Sequence, residues 1–362
     1  VIATPLYPPE IGGPATYAKL LKDGLPSKGI DVELVTFSEV RHLPKLIRHY
    51  VYYRRVLAAA RSADIVLALD PVSVGLPAMY AAKKANKPFV VKIVGDYAWE
   101  QGTQRFGVTQ TLDDFLKTKQ IAFAVLRLQG IQTRVAKGAV RIIVPSEYLK
   151  NIVQSWGISP EKIEVIYNAI PSEEIGVVPP KVLNLPRPIV VSSGRLVIWK
   201  HMEGLIDTIA QLQKNKLNPS LVIVGDGPLH AKLITQGRRM LPDNFILTRA
   251  LSHADTLAVI KHADVFVLNS SYEGLSHALI ETLGLGKSII ATRVGGNMEV
   301  IKDEENGLLV PVGDKTALIN SLEKILSDGA LRTRLSAHAR ESAKRFSVET
   351  MLSKTLEVLQ NI

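Results

Sequence analysis

Short, almost continuous runs of valine and isoleucine alternate with longer amphipathic stretches along nearly the whole chain of 362 residues. Such runs are typical of parallel strands whose two faces are both covered by helices. Helical patterns of about ten to twenty residues separate them. The sequence therefore predicts an α/β fold with parallel sheets. The predicted strand segments are residues 1–4, 31–37, 64–69, 88–94, 141–146, 162–168, 189–194, 221–227, 244–250, 264–270 and 287–294.

A proline-rich segment, residues 171–188, interrupts this alternation. Because a single core usually stops growing below this chain length, we predict two doubly wound, Rossmann-like domains facing each other across a central cleft. Ligands are expected at the carboxyl ends of the strands. The predicted boundaries are 1–170 for the N-terminal domain, 171–188 for an interdomain linker, 189–345 for the C-terminal domain and 346–362 for a C-terminal helix packing back towards the N-terminal domain.

Composition excludes several classes of protein. The chain has no cysteine, so disulfides and thiolate metal sites are excluded. No apolar run approaches the roughly 18 to 20 residues that cross a bilayer. The absence of cysteine fits a reducing compartment, so a cytoplasmic location is expected. The sequence opens at Val1 inside an apparent strand, so we expect residues to precede it in the natural protein.

The net charge of +10 is concentrated in places. Residues 41–61 contain six Lys or Arg and two His but no acid, with apolar residues and tyrosines at helical spacing. This pattern predicts a basic amphipathic helix, which can lie on the inner, anionic face of the cell membrane. A helix packed on a sheet with a solvated basic face is the open alternative. Nucleic acid is not expected as a partner, because no binding motif accompanies the charge.

Three motifs follow predicted strands. Gly12 and Gly13 precede Pro14, a pattern that permits close backbone approach to a ligand and starts a helix whose N-terminus can bind an anion. Arg195 and Lys200 follow another strand, where a guanidinium and an ammonium can hold a diphosphate. The stretch GDGP (225–228) is a turn, and His230 stands where G-x-G-x-x-G requires its last glycine, which argues against a nicotinamide dehydrogenase.

Two further motifs complete the set. Ser276 is a predicted N-cap, which places Glu273 in the preceding loop and Glu281 about one and a half turns inside the helix. A carboxylate at position 281 can accept hydrogen bonds from two vicinal hydroxyls. A second glycine-rich turn, residues 294–300, follows the next strand.

The combined pattern resembles the family 4 glycosyltransferases. It consists of GGP near the start, SSGR with a lysine five residues after the arginine, GDGP, and E-G-x6-E followed by GLGKSIIAT and a pair of glycines. The resemblance covers nearly the whole chain and is strongest from 190 to 312. It implies a GT-B fold, retention of anomeric configuration, an acceptor-binding N-terminal domain and a C-terminal domain that binds the nucleotide-sugar.

The resemblance also implies residue roles. Glu281 would bind the ribose hydroxyls, Glu273 the donor sugar, and Arg195 with Lys200 the diphosphate. The loop of Gly12 and Gly13 would close on the donor and acceptor side, and backbone near 248–251 would contact the base. The full donor-binding set that we expect is Gly12, Gly13, Gly194, Arg195, Lys200, Ala250, Glu273, Gly274, Leu275, Ser276 and Glu281. The expected catalytic residues are Arg195, Lys200, Glu273 and Asp96.

One position departs from the family pattern. Many members carry a histidine near the donor sugar where this chain has Asp96. Asp96 either replaces that contact or is a loop residue. His277, between the two glutamates, is interpreted as a helix-terminal histidine.

The expected reaction is hexosyl transfer from a nucleotide diphosphate to a glycan or lipid-linked acceptor in cell-envelope polysaccharide or glycolipid synthesis. No D-x-D motif occurs, so neither a metal ion nor another cofactor is expected. A nucleotide-sugar epimerase or a glycan phosphorylase of the same fold, and a two-domain sugar-binding protein without catalysis, are the alternatives.

Overall fold

The computed structural model describes residues 1–10, 12–118, 121–172, 174–214 and 217–362. The described chain divides into two compact units. Unit 1 consists of Val1–Pro171 together with Val348–Ile362, and unit 2 consists of Ser172–Ser347.

The strands are short and evenly distributed between the units. They are β1 (Ile2–Thr4), β2 (Leu34–Thr36), β3 (Val66–Ala68), β4 (Phe89–Lys92), β5 (Arg141–Val144), β6 (Ile163–Val165), β7 (Ile189–Ser193), β8 (Ser220–Val224), β9 (Phe245–Leu247), β10 (Val265–Leu268), β11 (Ser288–Thr292) and β12 (Leu308–Val310).

Helices connect successive strands. They are α1 (Gly13–Gly24), α2 (Lys45–Ala60), α3 (Gly75–Ala85), α4 (Tyr97–Arg105), α5 (Leu112–Lys117), α6 (Phe123–Gly138), α7 (Glu147–Ser155), α8 (Pro180–Leu183), α9 (Met202–Gln213), α10 (His230–Met240), α11 (His253–His262), α12 (His277–Gly284), α13 (Asn297–Val300), α14 (Lys315–Ser327), α15 (Gly329–Ala343) and α16 (Val348–Gln360).

Each unit contains a parallel sheet of six described strands. The strand order in unit 1 is β2-β1-β3-β4-β5-β6, and in unit 2 it is β12-β11-β10-β7-β8-β9. The order reverses between β1 and β3 in the first sheet and between β7 and β10 in the second. In doubly wound sheets such a reversal opens a crevice at the carboxyl ends of the strands, where ligands bind.

The predicted parallel α/β architecture is confirmed. Each of the eleven predicted strand segments overlaps a strand, and most valines and isoleucines of these strands are buried between two helical layers. Strand β9, at the edge of its sheet, is only partly buried. Strand β12 was not predicted. It has only three residues, and its apolar run, GLLVPV, is cut short by Pro311, which cannot donate to a sheet.

The segment predicted as a linker makes specific contacts within unit 2. The backbone N–H of Gly176 donates to the carbonyl of Ala254 at 3.0 Å. Arg187 pairs with Asp264 at 2.7 Å, and the short helix α8 lies between these two anchors. The prolines of this segment therefore stiffen a stretch that is fixed to unit 2 at Gly176 and at Arg187.

The last helix, α16, belongs to unit 1, although unit 2 lies between it and the rest of unit 1 in sequence. Its Met351, Leu352 and Val358 join the core formed by α1 and the central strands. A side chain at Gly24 would collide with Leu352, so this glycine permits α1 and α16 to approach closely. Lys28 also pairs with Glu349 at 2.6 Å.

Candidate active site

The candidate site lies in unit 2, where the sheet changes direction. Strands β7 and β10 are neighbours and run parallel, so the loops that follow them emerge at the same edge. The first loop carries Arg195 and Lys200, and the second carries Glu273 and Ser276. Residues far apart in sequence are therefore brought together by the topology.

The loop after β7 requires glycine at its first position. Gly194 has φ near 145°, which residues with a side chain rarely adopt. A Cβ at this position would lie 3.6 Å from the Nζ of Lys200, so the ammonium lies beside an open stretch of backbone. Arg195 is exposed, and within the described part of the chain its guanidinium makes no hydrogen bond or ion pair.

Lys200 and Glu273 form an ion pair that joins the two loops. The Lys200 Nζ lies 2.5 Å from the Oε1 of Glu273, and their side chains are only 14% and 9% exposed. The hydroxyl of Ser270 donates to the same carboxylate oxygen at 2.5 Å. Lys200 and Glu273 were predicted to contact different parts of a ligand, whereas in the structure they form an ion pair with each other. A ligand that uses both must contact them as a pair.

Backbone hydrogen bonds hold the two loops in register. Ser271 donates its N–H to the carbonyl of Trp199 at 2.8 Å, and Gly296 donates to the carbonyl of Glu273 at 3.0 Å. A side chain on Gly296 would collide with the carbonyl of Gly274, so the second glycine-rich turn packs directly on the loop that carries Glu273. The positions of the loops that carry Lys200 and Glu273 are thus fixed by backbone contacts.

Helix α12 begins at this edge. The hydroxyl of Ser276 caps it by accepting a hydrogen bond from the N–H of Leu279 at 3.3 Å, as its sequence predicts. His277 is the first helical residue, and the buried Gly274 and Leu275 precede the cap. The first turn of a helix carries N–H groups without intrahelical partners and can bind an anion.

Glu281 is buried, with 6% of its surface exposed, although it was predicted to face a ligand. Its Oε1 lies 2.9 Å from the Nε2 of His253, at the start of α11. Sequence reasoning missed His253. The only signal was the sequence Ser252-His253, a cap followed by a helix, and nothing in it relates His253 to a carboxylate 28 residues away.

The remaining predicted donor contact is on the loop after β9. Ala250 is exposed there, and the neighbouring Arg249 pairs with Asp226 of the GDGP turn at 3.1 Å. Side chains at Gly225 and Gly227 would collide with the backbone of residues 194–196. The GDGP turn therefore supports the loop that carries Arg195.

Unit 1 contains the other predicted site residues. Gly12, with φ near 148°, precedes α1, which begins at Gly13 without a side-chain cap. Asp96 is completely buried and caps α4, accepting a hydrogen bond from the N–H of Trp99 at 2.9 Å. Burial raises the pKa of Asp96, while hydrogen bonds from the backbone of Trp99 and the side chain of Gln132 oppose that rise. A catalytic role for Asp96 stays a prediction.

The described residues were predicted to contain neither a metal site nor a membrane-spanning helix. Among the residues that the structure describes, no three or more His, Asp or Glu side chains cluster so that they could hold a metal ion. Metal independence stays a prediction, because only the activity measured with and without metal ions decides it. No described helix has the length and apolar character needed to traverse a lipid bilayer.

The chain matches known proteins over most of its length. Residues 11–174 match the family model described as Glycosyltransferase Family 4, and residues 179–342 match the one described as Glycosyl transferases group 1. A lipopolysaccharide core biosynthesis glycosyltransferase, LpsE, of Rhizobium meliloti is 30% identical over 66% of this chain and 70% of its own length.

A second relative comes from Campylobacter jejuni and is an N-acetylgalactosamine-N,N'-diacetylbacillosaminyl-diphospho-undecaprenol 4-alpha-N-acetylgalactosaminyltransferase. It is 31% identical over 58% of this chain, and the match spans 57% of that relative. Among solved structures, Anabaena Alr3699/HepE in complex with UDP and glucose has a TM-score of 0.76 and 19% identity, covering 100% of this chain and 99% of the other. That likeness concerns the fold.

Proposed function

Since this chain belongs to the family 4 glycosyltransferases, we propose that it transfers a hexosyl group from a nucleotide diphosphate to a glycan or lipid-linked acceptor with retention of configuration. The Campylobacter relative acts on a diphospho-undecaprenol saccharide and the Rhizobium relative in lipopolysaccharide core synthesis, which supports an acceptor from the cell envelope. The Anabaena structure contains UDP, so UDP-sugars are the first donors to test.

The observation that carries the proposal is the buried pair of Lys200 and Glu273 beside the open backbone of Gly194. A nucleotide-sugar presents a diphosphate next to a polyhydroxylated ring. An ammonium with an adjacent carboxylate matches that order, because the cation can contact phosphate while the carboxylate accepts sugar hydroxyls. Arg195, exposed and without an intramolecular partner in the described structure, supplies the second cation.

Glu281 is proposed to receive the ribose. His253 contacts its Oε1, and no other side-chain hydrogen bond to this carboxylate exists among the described residues. Its second oxygen therefore retains acceptor capacity for a ribose hydroxyl. Ala250, exposed on the loop after β9, offers backbone groups to the base.

The chemistry follows from charge. When the glycosidic bond to the donor breaks, negative charge develops on the leaving diphosphate, and Arg195 with Lys200 stabilises it together with the N-terminus of α12. The acceptor hydroxyl then attacks the anomeric carbon from the same face and gives its proton to the leaving diphosphate, which retains the anomeric configuration. No divalent metal is required in this proposal, because protein cations provide the compensating charge.

A donor panel tests the proposal directly. Purified protein is titrated with UDP-, GDP- and ADP-sugars by calorimetry, and turnover is then measured with a diphospho-lipid saccharide, with and without EDTA. Saturable binding, transfer with retained configuration and unchanged rates in EDTA are expected. Inactivity in EDTA that Mg²⁺ or Mn²⁺ restores would contradict the metal-free reaction.

The same assay separates the alternatives. Conversion of the nucleotide-sugar without any acceptor would indicate an epimerase, and a preference for free sugar phosphate would indicate a phosphorylase. Binding of free sugar without turnover would indicate a binding protein, which would have no use for Lys200 paired as it is here.

We further propose that helix α2 of unit 1 rests on an anionic membrane surface on the cytoplasmic face. Its second half is anchored by buried Tyr52, Val56 and Leu57, but its first half exposes Leu46, Ile47 and Tyr50, with Leu46 88% exposed. Exposed apolar side chains amid cations are typical of an interfacial helix.

The ion pairs of unit 1 show which cations are available to lipid. Arg55 already pairs with Glu39, and Arg48 is half-buried over the ring of Phe37, so neither guanidinium is freely available. Arg54 is exposed. The triple variant Leu46→Gln, Ile47→Gln, Arg54→Gln should therefore reduce sedimentation with anionic vesicles, while turnover of a soluble acceptor stays unchanged. Equal sedimentation of wild type and variant would support the helix-on-sheet interpretation.

A further inference from the structure

A recess of about 600 Å³ opens in unit 2 at the amino ends of β10 and β11, at the edge of the sheet opposite to the candidate active site. It lies between the start of these strands and helix α15. Its charged lining consists of Lys287, Arg332, Arg340 and Asp264. Ser288, Thr333 and Ser336 also line it, and the hydroxyl of Thr333 donates to the carbonyl of Gly329 at 3.0 Å.

The charges in this recess are unbalanced. Asp264 is the only carboxylate in the lining, and it is already engaged by Arg187 at 2.7 Å. The pKa of Lys287 is lowered by burial, with Asp264 opposing and Arg187, Arg340 and Lys261 adding to the decrease. Like charges this close raise the free energy of the unliganded protein, and an anion would relieve the repulsion.

The three lining cations are not equivalent. Arg332 donates to the carbonyls of Ile325 at 2.6 Å and Leu326 at 2.9 Å, where it caps the end of α14. Lys287 donates to the carbonyl of Lys261 at 2.9 Å. Arg340 is exposed and makes no hydrogen bond or ion pair within the described parts of the chain, although its stem lies over Gly286. Its planar fork of donors is available to a ligand.

We propose that this recess is a binding site for a small phosphorylated molecule, held by Arg340 and Lys287. One guanidinium can donate two parallel hydrogen bonds to two oxygens of a phosphate, and an ammonium adds a point charge. The volume exceeds that of inorganic phosphate and falls in the range of small-molecule pockets, so a phosphate carrying an organic group fits better. The site does not depend on the proposed transferase activity.

Neighbouring elements connect the recess with the rest of unit 2. Gly286 and Lys287 follow the end of α12, whose first turn, after Ser276, lies at the opposite edge of the sheet. Helix α15 packs against α12 as well as lining the recess. A phosphate held by Lys287 would therefore lie beside the loop that follows α12, a helix that begins in the candidate active site.

Isothermal titration with inorganic phosphate, inorganic diphosphate and a hexose phosphate tests the site. Arg340→Gln should raise the dissociation constant about tenfold or more, because it removes charged hydrogen bonds. Arg340→Lys should recover part of the loss. The matched control is Arg334→Gln, since Arg334 is on the same helix but donates to the carbonyl of Glu304 outside the recess. It should bind like wild type.

Two additions keep the result interpretable. Arg195→Gln is titrated in parallel, because the candidate active site is also expected to take a diphosphate, and its hexose phosphate binding should match wild type. Thermal unfolding of Arg340→Gln should occur at the wild-type temperature or slightly above it, since the substitution removes one of the repelling cations and keeps most of the stem that packs over Gly286. The proposal is overturned if wild type binds none of the three probes at millimolar concentration, or if Arg340→Gln binds as wild type does. Loss of hexose phosphate binding in Arg195→Gln would also overturn it.

Discussion

The two units use the same kind of sheet but treat their buried charges differently. In unit 2 the carboxylates at the carboxyl edge, Glu273 and Glu281, each contact a basic side chain, Lys200 and His253. In unit 1 the buried Asp96 and Lys92 lie near the corresponding edge, and their contacts include backbone N–H groups, the Gln132 side chain and an aromatic ring. Asp96 caps α4, and the ammonium of Lys92 lies 3.6 Å from the centre of the Tyr17 ring.

This difference has a physical meaning. A side-chain pair can exchange its partner for a ligand, because both groups remain charged and can reorient. A carboxylate that caps a helix cannot leave without exposing unsatisfied N–H groups. The comparison suggests that charges in unit 2 serve ligand binding and that Asp96 and Lys92 serve the fold. Substitutions at five positions test this division.

The largest effect is expected for Lys200→Ala. Loss of the cation that stabilises the leaving diphosphate should lower kcat by about two to three orders of magnitude, comparable with the loss of one oxyanion-type donor. Steady-state kinetics measure this. Lys200→Arg should restore only part of the activity, because a planar head cannot replace a point charge.

The same substitution leaves Glu273 buried without its cation, which alone destabilises unit 2. Urea unfolding and circular dichroism of Lys200→Ala must therefore show a folded protein under assay conditions before the kinetics are interpreted. A folded variant with a kcat near wild type would remove Lys200 from the catalytic set.

The next effect is on nucleotide affinity. Glu281→Gln should weaken UDP binding by about tenfold to a hundredfold, because hydrogen bonds to a charged acceptor contribute about 1.5 to 3 kcal/mol. Calorimetry gives the dissociation constants. The control Glu341→Gln removes an exposed carboxylate paired with Lys344 and should not change UDP binding. Unchanged affinity in Glu281→Gln would show that this carboxylate does not contact the nucleotide.

Glu273→Ala should distinguish sugar from nucleotide. The carboxylate is proposed to contact the donor sugar, so binding of the UDP-sugar should weaken more than binding of UDP, and the ratio of the two dissociation constants should shift by about tenfold. Equal losses for both ligands would contradict the assignment of Glu273 to the sugar.

Asp96→Asn tests the comparison from the other side. Asparagine caps helices about as well as aspartate, so we expect kcat within about threefold of wild type. Asp96→Ala should lower the free energy of unfolding by about 1 to 2 kcal/mol through loss of the cap. A large fall in kcat for the stable Asp96→Asn protein would place Asp96 in the catalytic set instead.

The smallest effect concerns Lys92. Burial lowers the pKa of Lys92 to about 7 from the ordinary lysine value of 10.5. Between these values the unfolded chain binds more protons at Lys92 than the folded protein does, so its contribution makes stability rise with pH by at most about 1.4 kcal/mol per unit. Lys92→Met should flatten the slope of unfolding free energy between pH 7 and 9. An unchanged slope would show that the ammonium stays charged over Tyr17.

Much of the fold was readable from the sequence, and the reasons are local. Runs such as Val90 and Val91 indicate buried strands from the local sequence alone, without information on residues distant in the chain. Ser276 announces the start of α12 in the same way. The Asp96 cap could have been found too, since an aspartate before a helical stretch is a common N-cap. Asp96 stands where many family members have a histidine near the donor sugar, and this favoured a catalytic interpretation over a capping one.

The pairing of side chains was not readable. Lys200 and Glu273 are 73 residues apart, and Glu281 and His253 are 28 residues apart. Each pair exists because β7, β9 and β10 end at one edge of the sheet, and strand order is a property of the whole unit. Motifs identify the residue types in a site, whereas the topology decides which of them contact each other.

The position of α16 sets the order in which the protein can be made. Val1–Pro171 leaves the ribosome before unit 2 does, but the core of unit 1 lacks Met351, Leu352 and Val358 until α16 has emerged. Unit 2, contiguous in sequence, can complete its fold while the nascent first unit still exposes the apolar surface of α1. The middle of the chain is therefore expected to mature before the beginning, and ribosome-bound chains that end before residue 348 should be cut by protease in unit 1 rather than in unit 2.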